Sequence, residues 1–265
     1  MQAPDPSGDL ALLLDAAEAA GRVALSYWRQ EPKAWDKGGD AGPVSEADLA
    51  VDAGLKARLR EARPAYGWLS EESPDDAARL GCERVFIIDP IDGTRSFLAG
   101  EDGFAVSLAV AQAGRITAAV VHLPARQTTY CARLDGPALK NGEVIQASRR
   151  AALEGADILT TRAHLAPEHW PSGLPPVQRS FRPALSWRFC LVAEGRHDAM
   201  VTLRPTWEWD SAAGTLIAER AGCVASDRKG ALLRFNKPKP QDNGILTAPP
   251  ALHQAFMAAL APNPR

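Results

Sequence analysis

The sequence lacks paired cysteines, a long basic run and a long apolar run. Its four cysteines contain no CxxC pair, so a zinc site has little support and we expect reduced core residues instead. The 265 residues carry 30 Lys plus Arg and 32 Asp plus Glu, a formal net charge of -2 at pH 7. Without a basic run, binding to a nucleic-acid polymer through its phosphates is not expected.

A membrane span and a secretory signal are also missing from the pattern. No apolar run approaches the roughly 18 residues that cross a bilayer. Residues 1–9 have neither the basic nor the apolar region of a signal peptide. We therefore expect a soluble cytoplasmic protein that makes no membrane contact.

The length and the 46% hydrophobic content allow one large domain or two tightly joined halves. We place a soft boundary near residue 150, which gives segments 1–150 and 151–265. In the first half, the patterning predicts helices at 9–28 and 45–62, a loop at 32–43, and an antiparallel-looking sheet with strands at 66–69, 85–88, 104–111, 116–123 and 127–132. In the second half it predicts strands at 157–160, 198–203 and 245–248 and helices at 184–193, 211–221 and 251–260.

The segment DPIDGT at 89–94 is the most informative part of the chain. It follows the apolar run VFII at 85–88, so a strand is expected to deliver Asp89 and Asp92 to a turn. Carboxylates bind hard cations such as Mg²⁺. Free N–H groups of Gly93 and Thr94 at a helix start would bind phosphate. Together they indicate metal-assisted phosphoryl chemistry.

Further acids stand where other elements begin or end. Glu71 and Glu72 follow a predicted strand, and Asp210 and Asp48 lie near helix starts. Each has an ordinary explanation when taken alone, such as a helix cap, a solvated turn or a helix-dipole partner. Four separate segments place an acid at a strand end or a helix start, which is where open sites form in α/β structures. This pattern favours one shared metal site.

The chain shows no convincing nucleophile motif around a serine or cysteine, which favours direct attack by water. The five histidines occupy no motif, and we expect them to be structural or exposed. They are His122, His164, His169, His197 and His253.

Three segments resemble the inositol monophosphatase-like superfamily of Mg²⁺-dependent phosphatases. They are WLSEES at 68–73, DPIDGT at 89–94 and WDSAAG at 209–214. Lys37, the segment VSEAD at 44–48 and the pair Asn141-Gly142 also match in order and spacing. The resemblance covers nearly the whole chain and implies a mixed α/β fold, a layered αβαβα sandwich.

The resemblance also implies a set of site residues. Two or three Mg²⁺ ions would be held by Glu71, Asp89, Asp92, Asp210 and the carbonyl of Ile91. Asp48 and Thr94 would orient and deprotonate the attacking water. Gly93 and Thr94 would hold the phosphate, with Asp92 and Asp210 also next to the substrate. The resemblance further implies inhibition by Li⁺ and a monomer or homodimer.

Within the superfamily, the segments KGGD at 37–40 and SWRFCLVAEG at 186–195 look most like the 3'(2'),5'-bisphosphate nucleotidase branch. Arg188 stands where that branch carries a lysine, and it is our candidate for the non-scissile phosphate. Arg95 and Trp207 are weaker candidates, for an anion and for an adenine ring respectively. The segment PAL at 183–185 departs from the Gly-Ser that relatives often carry there.

The leading hypothesis is hydrolysis of 3'-phosphoadenosine 5'-phosphate to AMP and phosphate, a role in sulfur assimilation. The alternative is hydrolysis of inositol 1-phosphate or a related sugar phosphate by the same residues. A hypothesis of another class, a catalytically silent metal- or nucleotide-binding regulator, has no positive support in the sequence.

Overall fold

The computed structural model describes residues 6–38 and 42–260. Gly39 and Asp40, which belong to the segment resembling the nucleotidases, lie outside the described residues. The helices are α1 (Pro6–Tyr27), α2 (Glu46–Ala62), α3 (Thr94–Leu98), α4 (Leu185–Ala193), α5 (Glu208–Arg220) and α6 (Pro250–Leu260). The strands of the first part are β1 (Ala34–Asp36), β2 (Pro43–Ser45), β3 (Gly67–Ser70), β4 (Arg84–Asp92), β5 (Ala105–Gln112), β6 (Arg115–Leu123), β7 (Thr128–Arg133), β8 (Leu139–Lys140) and β9 (Glu143–Val144). Those of the second part are β10 (Asp157–Leu159), β11 (Gln178–Ser180), β12 (Ala199–Thr202), β13 (Thr206–Trp207), β14 (Val224–Asp227), β15 (Gln241–Asp242) and β16 (Ile245–Ala248).

Two large sheets form the frame. The first has the order β3-β4-β5-β6-β7-β8-β9, and the second has the order β11-β10-β12-β16-β14. The expectation of an antiparallel first sheet was wrong for one pair, because β3 and β4 run parallel. The long connection between them contains a 3₁₀ turn at Ala77–Gly81 and lets the chain return to the same end of the sheet. Both strands therefore finish at one edge.

The elements stack as helix, sheet, helix, sheet, helix, which confirms the expected layered αβαβα sandwich. Helices α1 and α2 pack on one face of the seven-stranded sheet, and α4 and α5 lie between the two sheets. Helix α6 covers the outer face of the second sheet. Each sheet thus buries both of its faces.

Strand β4 shows why its apolar run is continuous rather than alternating. Phe86 and Ile88 point into the core under α1 and α2, whereas Val85 and Ile87 point into the core that contains α4 and α5. A strand with helices on both faces must be apolar on both faces. The run therefore places β4, and the acids at its C-terminal end, in the middle of the molecule.

Three local expectations need correction. The predicted loop at 32–43 contains β1 and the first residue of β2, which pair antiparallel. The helix predicted to begin at residue 211 begins at Glu208, so Asp210 lies inside its first turn. Strand β4 continues to Asp92, with a register shift between Asp89 and Asp92. The expected turn is a bulge, which redirects side chains without ending the strand.

Helices α4 and α5 approach closely at Gly214. A Cβ atom at this position would lie 2.5 Å from Phe189 Cγ, well inside van der Waals contact. The small residues of α5 therefore allow this helix to pack closely against α4. This packing brings Asp210, in the first turn of α5, to the first sheet. Among residues 6–38 and 42–260, no helix is long and apolar enough to cross a membrane.

Candidate metal centre and catalytic site

Three carboxylates converge at the edge of the first sheet where β3 and β4 end. Glu71, Asp89 and Asp210 each offer an oxygen, and these oxygens lie within 4.8 Å of one another. Parallel pairing aligns Ser70 with Ile88, so Glu71 and Asp89 follow at the same level. Asp210 arrives from the first turn of α5.

Asp89 is the acid at the centre of this cluster. It is only 1% exposed, and neither of its carboxylate oxygens has a hydrogen-bond partner within the described part of the chain. Burial raises its pKa well above the usual range, and the charges of Glu71, Asp92 and Asp210 raise it further. A buried acceptor without a donor is costly unless something else satisfies it.

The donor set fits a divalent cation. Three convergent carboxylate oxygens, one of them buried and unpartnered, are the ligand type that Mg²⁺ prefers. Burial, and then mutual repulsion, also raises the pKa of Asp210 well above its usual range. A bound cation would compensate both the burial and the repulsion.

Lys37, which follows β1, forms ion pairs with the two glutamates after β3. Its Nζ lies 2.9 Å from Glu71 Oε1 and 2.7 Å from Glu72 Oε1. Burial lowers the pKa of Lys37, but Glu71 and Glu72 outweigh that effect and the pKa is raised. Burial raises the pKa of Glu72 to about 7 despite its bond to Lys37.

The other two predicted metal ligands, Asp92 and the Ile91 carbonyl, lie beside the three-acid cluster. Asp92 Oδ1 accepts from the N–H of Leu185 over 3.0 Å, and its Oδ2 accepts from the N–H and the hydroxyl of Ser186 over 2.6 and 2.5 Å. Helix α4 has no side-chain cap of its own, so Asp92 caps it from the other half of the molecule. The Ile91 carbonyl oxygen lies 3.1 Å from Thr94 Oγ1.

Asp48 and Thr94, the predicted water-activating pair, are in contact. Thr94 Oγ1 lies 3.1 Å from Asp48 Oδ1. Asp48 Oδ2 accepts from the N–H and the hydroxyl of Ser45 over 2.8 and 2.5 Å. The Asp48 N–H donates in return to Ser45 Oγ over 3.4 Å, which completes a capping box at the start of α2. Burial raises the pKa of Asp48, although the Ser45 and Thr94 bonds oppose the rise. The charge of Asp48 also raises the pKa of Glu71 and Asp89, so the pair stands beside the cluster.

Gly93 connects β4 to α3 with φ 94° and ψ 36°, a conformation that favours glycine. A Cβ there would lie 3.1 Å from the carbonyl oxygen of Gly103 and 3.4 Å from Ala184 Cβ. Glycine therefore allows the segment before α4 to sit directly against the start of α3, where Thr94 is positioned.

Arg188 is buried, with 7% of its surface exposed. Its Nε donates to the carbonyl of Arg182 over 2.5 Å and an Nη donates to the carbonyl of Pro183 over 3.2 Å. Burial lowers the pKa of Arg188 to about 10, with Asp92 opposing the shift. Two of its N–H groups thus support the backbone that leads into α4.

Arg204 was not singled out from the sequence. It is exposed at the end of β12, and its charge lowers the pKa values of Asp210, Arg188 and His164. It is therefore an accessible arginine whose charge reaches Asp210. No motif marks it in the sequence, because its position depends on how β12 approaches α5.

The structure also locates the remaining candidates, Trp207 and Arg95, and the histidines. Trp207 and Trp209 stack with ring centroids 4.7 Å apart and an angle of 11°, and Trp207 remains 37% exposed. Arg95 is exposed and reaches towards Gly42. Of the histidines, His122, His164, His197 and His253 each make a side-chain hydrogen bond away from the cluster.

Comparison with known proteins agrees with this geometry. The family model described as "Inositol monophosphatase family" matches residues 6–264. The chain belongs to the inositol monophosphatase family. This confirms the expected family, whose phosphatases are metal-dependent, and the acidic cluster is consistent with that dependence.

Relatives of different activity are similarly close. An inositol-1-monophosphatase of Rhizobium meliloti is 34% identical over 207 residues, covering 72% of this chain and 74% of that protein. A 3'-phosphoadenosine 5'-phosphate phosphatase of Mycobacterium leprae is 34% identical over 252 residues, covering 88% of this chain and 86% of that protein. The structure of a Thermotoga maritima IMPase is similar with a TM-score of 0.83 and 25% identity, covering 96% of each chain. Identity alone therefore does not select a substrate.

Proposed function

We propose that this chain is a Mg²⁺-dependent phosphomonoesterase whose substrate is 3'-phosphoadenosine 5'-phosphate. The observation that carries the phosphomonoesterase activity is the contact between Asp48 and Thr94 together with the convergent Glu71, Asp89 and Asp210 oxygens. Acids and a hydroxyl arranged in this way serve hydrolysis by water. Inhibition by Li⁺ belongs to the same proposal.

Glu71, Asp89 and Asp210 would hold Mg²⁺, joined by Asp92 and the Ile91 carbonyl. When bound, the ions would neutralise the repulsion between the carboxylates and the phosphate and lower the pKa of water. This leaves the chain's own residues to orient the reactants and to accept a proton.

Thr94 and Asp48 would accept that proton. The Thr94 hydroxyl donates to Asp48 Oδ1, so its lone pairs can accept a hydrogen bond from the attacking water. As the water oxygen bonds to phosphorus, its proton moves through Thr94 to Asp48. The ester P–O bond breaks on the opposite side, and the leaving oxygen takes up a proton from solvent water. The raised pKa of Asp48 suits a general base.

The N–H groups of Gly93 and Thr94 would bind the scissile phosphate. They stand at the start of α3 with Gly93 in a left-handed conformation, and successive backbone N–H groups in such a turn can bind an anion. Binding there would hold phosphorus in line with the water next to Thr94.

Arg204 supports a substrate with a second anionic group. An inositol monophosphate presents one charged group, whereas a nucleoside bisphosphate presents two. Arg188 is buried and interacts electrostatically with Asp92 and Asp210. Arg204 is exposed and can reach a ligand. Trp207 keeps an exposed surface that could stack on a base.

The test compares kcat/KM for 3'-phosphoadenosine 5'-phosphate with that for inositol 1-phosphate. We expect a preference of about a hundredfold for the nucleotide, about 2.7 kcal/mol in the transition state. Arg204→Gln should lower kcat/KM for the nucleotide by about ten- to a hundredfold and leave the value for inositol 1-phosphate nearly unchanged. Arg60→Gln removes the same charge from an exposed site on α2 and is the matched control.

Either alternative has a clear signature in this assay. A preference for inositol 1-phosphate would move the substrate to the other branch and leave the mechanism intact. A silent binding protein would show no Mg²⁺-dependent turnover above an Asp92→Asn variant on any phosphomonoester.

A further inference from the structure

Asp52 lies one helical turn beyond Asp48 on α2 and on the same face. It is buried, with 6% of its surface exposed, although it belongs neither to the three-acid cluster nor to the water-activating pair. A carboxylate in that position needs partners to offset its burial. Its partners define what it does.

Both oxygens of Asp52 accept hydrogen bonds from serines, one at the end of β3 and one just after it. Ser70 Oγ donates to Oδ1 over 2.5 Å, and Ser73 Oγ donates to Oδ2 over 2.7 Å. These two serines flank Glu71 and Glu72. The Asp52 carboxylate therefore holds the Glu71–Glu72 turn from both ends.

The two serine hydroxyls also accept hydrogen bonds from neighbouring residues. The N–H of Glu72 points at Ser70 Oγ over 3.4 Å, and Trp68 Nε1 donates to Ser73 Oγ over 3.2 Å. Each serine hydroxyl thus donates to Asp52 and accepts one further bond, Ser70 from the Glu72 N–H and Ser73 from the Trp68 indole on β3. Without the carboxylate, both hydroxyls would lose the acceptor that fixes their orientation.

We propose that Asp52 is a positioning residue that sets the place of the metal ligand Glu71 relative to the base Asp48. Both acids of α2 lie on one rigid helix, so the spacing between Asp48 and the Glu71 turn follows from the helix geometry. Asp52 acts on the reaction through Ser70 and Ser73, not by touching substrate. This inference rests on the proposed metal site.

The spacing has a consequence for the cation. Glu71 must reach the oxygens of Asp89 and Asp210, and Lys37 also binds the Glu71 carboxylate through Oε1. A turn free to move would let Glu71 follow Lys37 and leave the cluster with two acids. Asp52 prevents this by fixing the backbone on which Glu71 stands.

The test is Mg²⁺ binding to purified full-length protein by calorimetry, together with the Mg²⁺-induced rise in Tm. The Asp52 carboxylate and the two serine hydroxyls that donate to it form a clamp on the Glu71–Glu72 turn. Three variants each remove part of this clamp: Ser70→Ala, Ser73→Ala and Asp52→Ala. We expect a rise in the Mg²⁺ Kd of about tenfold for either serine variant and more for Asp52→Ala. Asp52→Asn keeps one carbonyl acceptor and should restore part of the affinity.

The control is Arg58→Ala, which breaks an ion pair between α2 and Asp15 of α1 away from the site. It should lower Tm without changing the Mg²⁺ Kd. If the serine variants bind Mg²⁺ like the wild type, the clamp is structural only and the proposal is overturned, even where Asp52→Ala does not fold. If the wild type itself binds no Mg²⁺, the proposed function fails instead.

Discussion

The hydroxyl of Thr94 donates to Asp48 Oδ1 over 3.1 Å and joins residues that are 46 positions apart in the chain. One belongs to the start of α3 after the first sheet, and the other belongs to the capping box of α2. In the proposed mechanism, a local helix-start motif therefore also supplies the catalytic base. The following predictions test that site and the fold that supports it.

Replacing Asp48 by Asn removes the proton acceptor and keeps the shape of the side chain. We expect kcat to fall by about 10²- to 10⁴-fold, because the water loses its base, while the Mg²⁺ Kd changes little. Thr94→Val should behave alike and Thr94→Ser should retain most activity. Steady-state kinetics with calorimetry checks this. Near-normal turnover of Asp48→Asn would remove it from the mechanism.

Replacing Asp89 by Asn should separate stability from function. Burial and neighbouring acids raise the pKa of Asp89, so its charged form destabilises the metal-free protein. We expect Asp89→Asn to be more stable than the wild type without Mg²⁺, by about 1 kcal/mol or more, and to lose the Mg²⁺-induced rise in Tm. The exposed Asp135→Asn is the control. A lower metal-free stability of Asp89→Asn would contradict an unpartnered carboxylate.

The burial of His164 predicts that the free energy of unfolding decreases in acid. Burial, with help from Arg204, lowers its pKa to about 4, below the value of about 6.5 in the unfolded chain. Since the unfolded chain binds the proton more readily, stability is lost as pH falls from about 6.5 to 4. The effect is up to about 3 kcal/mol.

The measurement is urea unfolding of the wild type and of His164→Gln at several pH values. The difference between their free energies of unfolding should shrink as pH falls through this range, since glutamine does not titrate. A difference that stays constant with pH would show that His164 does not titrate as described.

Gly214 predicts a packing penalty between α4 and α5. An added methyl group would stand 2.5 Å from Phe189 Cγ, so Gly214→Ala should cost about 1 to 3 kcal/mol. Gly54→Ala on α2 is the matched control, because its Cβ meets nothing within 4 Å and it should stabilise by about 0.4 to 1 kcal/mol. Urea unfolding measures both. Equal effects would mean that the helices can separate at no cost.

Much of the fold could be predicted because local patterns repeat over long elements. The apolar run at 85–88 predicts a buried strand, and that strand forms the middle of the molecule as β4. The parallel pairing of β3 with β4 could not be predicted from alternation, because strand direction depends on the path of the connection. The bulge between Asp89 and Asp92 was likewise hidden, since a carboxylate pair after a strand reads as a turn.

The candidate site was predictable where a residue acts through a short motif. DPIDGT and WDSAAG mark Asp89 and Asp210 directly. Arg188 carries the right charge in the sequence, but its contacts with the carbonyls of residues 182 and 183 depend on how the chain folds back before α4. Asp52 had a weak signal in its spacing of four from Asp48. Its partners, Ser70 at the end of β3 and Ser73 just after it, are brought to Asp52 only by the fold.

The most direct test of the central claim is phosphate release as a function of Mg²⁺ concentration, by the wild type and by Asp210→Asn. It should be run with 3'-phosphoadenosine 5'-phosphate and with inositol 1-phosphate. We predict turnover that rises with Mg²⁺, vanishes with chelator and falls by orders of magnitude in Asp210→Asn. Turnover independent of Mg²⁺, or near-normal kinetics of Asp210→Asn, would contradict a metal centre built from Glu71, Asp89 and Asp210.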